Sequence, residues 1–131
     1  FDSDNQNKIK DLKKIIMLLK TNNFSCVYGV RKKLQRFSET IFSKISKILY
    51  DLDDPLCGMK GYVSKQLKFT SKFENTICTE LLFDMKRRNL LIKQLPIETN
   101  YRKNVSRFGG FFYSNFKILN SIFPTIKNYR S

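Results

Sequence analysis

The chain contains no histidine, and its three cysteines, Cys26, Cys57 and Cys78, are an odd number without paired spacing. That combination argues against a disulfide framework and against the common zinc ligand sets, and it fits a reducing, cytoplasmic setting. No run of about 18 apolar residues exists to span a bilayer. The first residues also lack the basic-then-apolar order of a secretory leader, so the chain is expected to stay in solution or to lie on a surface. Acidic residues are scarce, 11 against 25 Lys and Arg, for a formal charge of +14. Such a field favours phosphates, nucleic acid or an anionic membrane surface, and it does not choose among them. No internal repeat, low-complexity linker or compositional break divides the chain, so a single domain is expected over 1–131.

What is present is enough to close one hydrophobic core: 41% of the 131 residues are hydrophobic, with twelve Phe and six Tyr. Ile9, Leu12, Ile15, Ile16 and Leu19 recur at helical spacing, with Lys8, Lys10, Lys13 and Lys14 between them, which predicts an amphipathic helix ended by "TNN". "FSCVYGVR" reads as a short buried strand over 24–30 whose end delivers Arg31 into a loop. A second helix is predicted over 38–50 and a third over 73–88, each with one apolar stripe. "DLDDPLCGMKGY" between them carries Pro55, Gly58 and Gly61 and reads as a loop of demanding backbone geometry. "LLIKQLPIE" is strand-like, "TNYRKNVSRFGG" is a basic loop, and a last helix is predicted over 111–122. This alternation predicts an α/β fold with helices packed on a short mixed sheet.

Four stretches hold residues that could carry chemistry. Asp2 and Asp4 are two apart in "FDSDNQN", so on an extended segment both carboxylates point to one side, with Gln6 as a neutral oxygen ligand beside them. Oxygen ligands of this kind suit Mg²⁺ or Mn²⁺, which can bridge a diphosphate; a helix amino-terminal cap is the plainer use of the same residues. In "DDPLCGMKGY", Asp54 precedes a proline and Lys60 stands between two glycines. The loop can therefore approach a ligand closely and present a cation beside it, or it can be an ordinary tight turn with a solvated lysine. Glu80, in "TICTELLF", is flanked by apolar residues. It is a candidate general base or sugar-hydroxyl acceptor, or a surface glutamate paired one turn on. In "YRKNVSRFGG", Arg102, Lys103, Ser106 and Arg107 precede two glycines, a pattern that suits phosphate oxygens and equally an aromatic, arginine-bearing surface for single-stranded nucleic acid.

Read in order, Asp-x-Asp-x-Gln, a strand ending "GVR", "DPLCGMKGY", a helix with "TEL" and "LPIETNYRKNVSR" resemble the inverting GT-A glycosyltransferases of family two. The likeness is to the branch that acts on polyprenyl and dolichyl phosphates, and it covers nearly the whole chain. Its most specific part is the DPxCGxKxY loop. The resemblance implies the carboxyl-terminal, metal- and acceptor-side half of a GT-A (nucleotide-diphospho-sugar transferase) domain, whose complete form needs roughly 200 residues or more.

By the same resemblance, Asp2, Asp4 and Gln6 hold Mg²⁺ or Mn²⁺ against the diphosphate of a UDP- or GDP-linked sugar. Arg31 faces an acceptor phosphate, with Arg36 beside it. Glu80 is the acidic residue of the acceptor-side helix. Lys60 belongs to the ligand-approaching loop, and Arg102, Ser106 and Arg107 lie in the mobile loop that closes over the phosphates. Asn7, Val30, Asn104 and Val105 depart from the family pattern and leave the acceptor class open between a lipid phosphate and a cell-envelope glycan. An enzyme of this kind is expected in the cytoplasm, in peripheral contact with the membrane face and with no sequence-specific nucleic-acid partner; a homo-oligomer is compatible with an exposed sheet edge. The competing reading is a non-enzymatic basic module that binds nucleic acid. It accounts for the charge and "RFGGFFY" but leaves the aspartates and the "DDPLCGMKGY" loop without a role.

Overall fold

The apolar run in "FSCVYGVR" becomes the middle strand of a mixed sheet. In the computed structural model, which describes residues 8–67, 77–99, 115–120, 122 and 127, β1 (Cys26–Arg31) lies between β2 (Lys60–Tyr62) and β3 (Ile92–Ile97). β3 runs parallel to β1 from Cys26↔Ile92 to Arg31↔Ile97, and β2 runs antiparallel from Cys26↔Tyr62 to Tyr28↔Lys60. Cys26, Val27 and Tyr28 are fully buried because the strand is covered on both faces, which is why it reads as a continuous apolar run and not as an alternation.

Successive residues of β1 feed two separate cores. Val27 packs with Ile15, Cys57, Met59 and Ile97 under α1 (Ile9–Lys20). Cys26 and Tyr28 join Phe42 and Tyr50 of α2 (Phe37–Tyr50) and Leu82, Phe83 and Met85 of α3 (Ile77–Arg87). The Phe83 ring stacks on Tyr50 at 4.5 Å and on Phe42 at 6.3 Å, tying the two helices together. Leu82 and Met85 are completely buried, and each such side chain stabilises the fold by roughly 1.5–3 kcal/mol. Ile122 closes this core from the carboxyl-terminal side, and residues 115–120 before it are helical. The expected α/β architecture, with helices on a small mixed sheet, is therefore present.

Two expectations change. The inward stripe of α1 is Asp11, Ile15, Leu18 and Leu19, while Ile9 and Ile16 are 68% and 44% exposed. Spacings of four, seven and eight from Asp11 fall on one helical line, and the packing selects that line over the neighbouring one that contains Ile9 and Ile16. Lys60–Tyr62, expected as loop, is a strand, since the outer edge of β1 needs partners for its backbone groups. Gly29 N–H donates to the Met59 carbonyl at 2.8 Å and Val63 N–H to the Ser25 carbonyl at 3.0 Å, extending that ladder at both ends. α3 is described from Ile77; the expected turn before it, over 73–76, lies outside the described residues, as do residues 111–114 and 121 of the expected last helix.

Gly61 allows a close approach: a Cβ there would come within 2.6 Å of Leu19 Cδ1 and 2.8 Å of Ile15 Cγ2, so a larger residue would force those side chains of α1 to shift away from β2.

Burial pushes the Cys26 thiol up to about 12 and raises that of Cys57, whereas Cys78 is exposed. A thiol reagent at neutral pH is expected to label the native chain at Cys78 alone, with Cys26 and Cys57 reacting only after denaturation. Fast labelling of either buried thiol in the native state would contradict this packing.

Candidate functional site

The "DLDDPLCGMKGY" segment is built around a buried carboxylate. α2 ends at Asp51 in the left-handed conformation (φ 53°), and Asp54 adopts it again (φ 39°), which turns the chain back under the end of β1. Asp54 is 3% exposed, and Pro55 behind it is fully buried. Its Oδ2 accepts from Arg31 Nε at 2.7 Å and from the Arg31 backbone N–H at 3.1 Å, and its Oδ1 accepts from Nη2 at 2.7 Å. The pair is bidentate, the geometry in which a guanidinium and a carboxylate bind most strongly. Arg31 Nη1 stands 3.4 Å from Glu39 Oε2, at the first turn of α2. Burial disfavours the Arg31 charge, but the hydrogen bonds and field of Asp54 outweigh it, and the guanidinium is held above its ordinary pKa.

The rest of the loop is fastened from the sheet. The Tyr28 hydroxyl, whose pKa is raised by burial and then by Asp53 and Asp54, lies 2.6 Å from the Asp53 carbonyl and 2.8 Å from Gln94 Oε1. Gln94 Oε1 accepts from Asp53 N–H at 2.8 Å, and its Nε2 donates to the Asp51 carbonyl at 3.1 Å. One residue each of β1 and β3 thus clamps the loop backbone. On the far side, Thr79 Oγ1 donates to the Pro55 carbonyl at 3.2 Å and the Tyr62 hydroxyl donates to the Cys78 carbonyl. Glu80, half-buried in the first turn of α3, therefore follows directly on two residues anchored to this loop and to β2.

Of the residues singled out from sequence, the structure gathers Arg31, Lys60 and the Glu80 helix around one loop. Arg31 does so with its guanidinium engaged by Asp54 and Glu39, so in this structure it serves the loop. Lys60 turns back as well: its Nζ donates to the Cys57 carbonyl, and burial lowers its pKa. Asp2, Asp4, Gln6, Arg102, Ser106 and Arg107 lie outside the described residues. Among the described residues no group of three His, Cys, Asp or Glu side chains could hold a metal ion.

Sequence reasoning missed the pairing of Arg31 with Asp54, and it missed Glu39 and Gln94 altogether. A buried arginine at a strand end calls for a nearby carboxylate, and "DDP" was the available signal. It also missed an open cleft of about 310 Å³ at the carboxyl ends of β1 and β3, lined by Lys8, Lys32, Lys33, Gln35, Glu98 and Thr99. The carboxyl ends of parallel strands are where α/β sheets commonly receive ligands.

Compared with known protein families, curated proteins and solved structures, the chain matches none.

Replacing Arg31 with Ala leaves Asp54 buried without its main partner, and this is expected to cost about 3–5 kcal/mol in urea unfolding. Replacing Lys47, whose ion pairs with Asp51 and Asp53 are exposed, is expected to leave the urea midpoint nearly unchanged. Equal losses for the two would show that the Arg31–Asp54 pair is not what holds the loop.

Proposed function

We propose that this chain carries the metal- and acceptor-side part of an inverting glycosyltransferase. It would move a sugar from a UDP- or GDP-linked donor to a polyprenyl-phosphate lipid or a glycan. The observation that supports the reading is the convergence of separately recognised motifs: "GVR" meets "DPLCGMKGY" through Arg31 and Asp54, and the "TEL" helix meets the same loop through Thr79 and Pro55. Motifs scattered over some fifty residues become one unit, as the resemblance requires. The mixed sheet with helices on both faces is compatible with a portion of a GT-A domain.

In this reading Arg31 acts through Asp54, fixing the loop at the end of the central strand and with it the approach of backbone to ligand. Glu80 is the base that takes the proton when the acceptor is a hydroxyl. An anionic lipid phosphate needs no strong base, and Glu80 is then structural. Asp2, Asp4 and Gln6 would hold the divalent ion, which when bound offsets the charge of the departing nucleoside diphosphate. Arg102, Ser106 and Arg107 would close over the phosphates. Peripheral contact with an anionic membrane is supported by α1, whose outward face sets Ile9 and Met17, each 68% exposed, among Lys10, Lys13 and Lys14. No helix among the described residues is long and apolar enough to cross a membrane.

Calorimetric titration of the full-length protein with a nucleotide sugar is expected to show binding that requires Mg²⁺ or Mn²⁺ and is abolished by Asp4→Asn. In the transfer reaction, Glu80→Gln should lower turnover by about 10²–10⁴-fold with a hydroxyl acceptor and leave it nearly unchanged with a lipid phosphate. Tight, metal-independent and strongly salt-dependent binding of an oligonucleotide, with no affinity for nucleotide sugars, would overturn the reading in favour of a nucleic-acid module.

A further inference from the structure

The cleft beyond β1 and β3 has an unusual charge arrangement. Glu98, just past the end of β3, accepts from Lys8 at 3.0 Å through Oε2 and from Lys32 at 2.9 Å through Oε1. Two ammonium groups from different elements, the start of α1 and the end of β1, thus converge on one carboxylate at the mouth of a cavity. Lys33 adds a third ammonium to the lining and makes no ion pair among the described residues. Three positive charges face one negative charge. Hydrogen bonds from Lys32 and Lys8 hold the Glu98 carboxyl at about 2, so it stays ionised at any physiological pH.

A structural role accounts poorly for this cluster, because Glu98 is 56% exposed and exposed ion pairs contribute little to stability. An anion with more charge and more oxygens than a carboxylate would gain more there. A phosphate monoester carries about −1.5 to −2 near neutral pH and offers three strong acceptors. The Thr99 and Gln35 side chains add neutral polar groups, and Leu34 gives the cleft an apolar wall.

We propose that this cleft is a binding site for a phosphate monoester or diphosphate, with Lys8, Lys32 and Lys33 as its cationic donors and Glu98 as the carboxylate that the anion displaces. Its test turns on Lys32, Lys33 and Glu98, to which the glycosyltransferase reading assigns no role, so the two readings can fail separately. The same phosphate chemistry occurs on a soluble molecule and on a lipid headgroup.

The two signs of charge make the test specific. By calorimetry with inorganic pyrophosphate, the double variant Lys32→Ala/Lys33→Ala is expected to lose about tenfold or more in affinity, while Glu98→Gln gains severalfold, since the competing carboxylate charge is gone. Lys44→Ala, an exposed lysine on α2, serves as the control and should bind like the parent; thermal unfolding confirms that each variant is folded. Sedimentation with phosphatidic acid vesicles, against vesicles matched in charge with phosphatidylglycerol, identifies the source. A phosphatidic acid preference lost in the lysine double variant assigns a lipid headgroup, and its absence alongside pyrophosphate binding assigns a soluble phosphate. Absence of saturable pyrophosphate binding, an equal loss in Lys44→Ala, or weaker binding by Glu98→Gln would each overturn the proposal.

Discussion

A guanidinium taken out of water at the end of a central strand must meet fixed acceptors, and in this protein Arg31 meets Asp54. Much else depends on that match. To bring its carboxylate under β1, Asp54 takes a left-handed backbone and Pro55 is driven into the interior. The chain can then turn through Cys57 and Met59 and return antiparallel along β1 as β2. The Pro55 carbonyl receives Thr79, so the approach of α3 follows from the same turn. The pair itself is not a large net source of stability, because desolvation of both ions opposes their attraction. Its consequence is specificity: one loop conformation satisfies the charge, and competing ones leave it buried and unmatched.

Around this pair, the sheet divides the apolar residues into two cores and leaves polar chemistry to the ends of the strands. Tyr28 shows how closely the two are joined, with its ring inside one core and its hydroxyl among the loop carbonyl of Asp53 and the amide of Gln94. The parallel pair β1 and β3 sends both chain exits to the same side. That geometry places Lys32 and Glu98, 66 positions apart, within 2.9 Å, and it collects positive charge that the composition had only counted.

The fold was legible to different depths. The third helix could be read from its stripe, since Leu81, Leu82 and Met85 share one face and are buried; in the second, the buried line is Ser38, Phe42, Ser46 and Tyr50, and Ile48 of the expected apolar stripe is 82% exposed. The strand at 24–30 was legible because burial on both faces leaves an uninterrupted apolar run. In α1, two apolar lines lie side by side, and the sequence alone does not say which one faces the sheet; the buried Asp11 on the chosen line makes the wrong choice look better. β2 has only three residues and a central glycine, too little for a strand pattern, and it forms because β1 presents an edge. In the site, Arg31, Asp54, Lys60 and Glu80 were each visible as candidates, but Glu39, Gln94 and Glu98 were not, since an isolated polar residue in a helix or strand carries no local signal of its partner.

By itself, the sequence determined the excess of positive charge, the absence of histidine chemistry, the helical and strand periodicities and the turn at "DDPLCGMKGY". These are properties of single residues or of neighbours, and local sterics and burial report them directly. The tertiary structure decided that Arg31 is held by Asp54 and Glu39, that Lys60 turns back to Cys57, that Gly61 lies beneath α1, and that Lys8 and Lys32 share Glu98. Each of these joins residues that are close only once the backbone has taken one path, and the energy of a charge or a close contact depends on a distance the linear order does not contain.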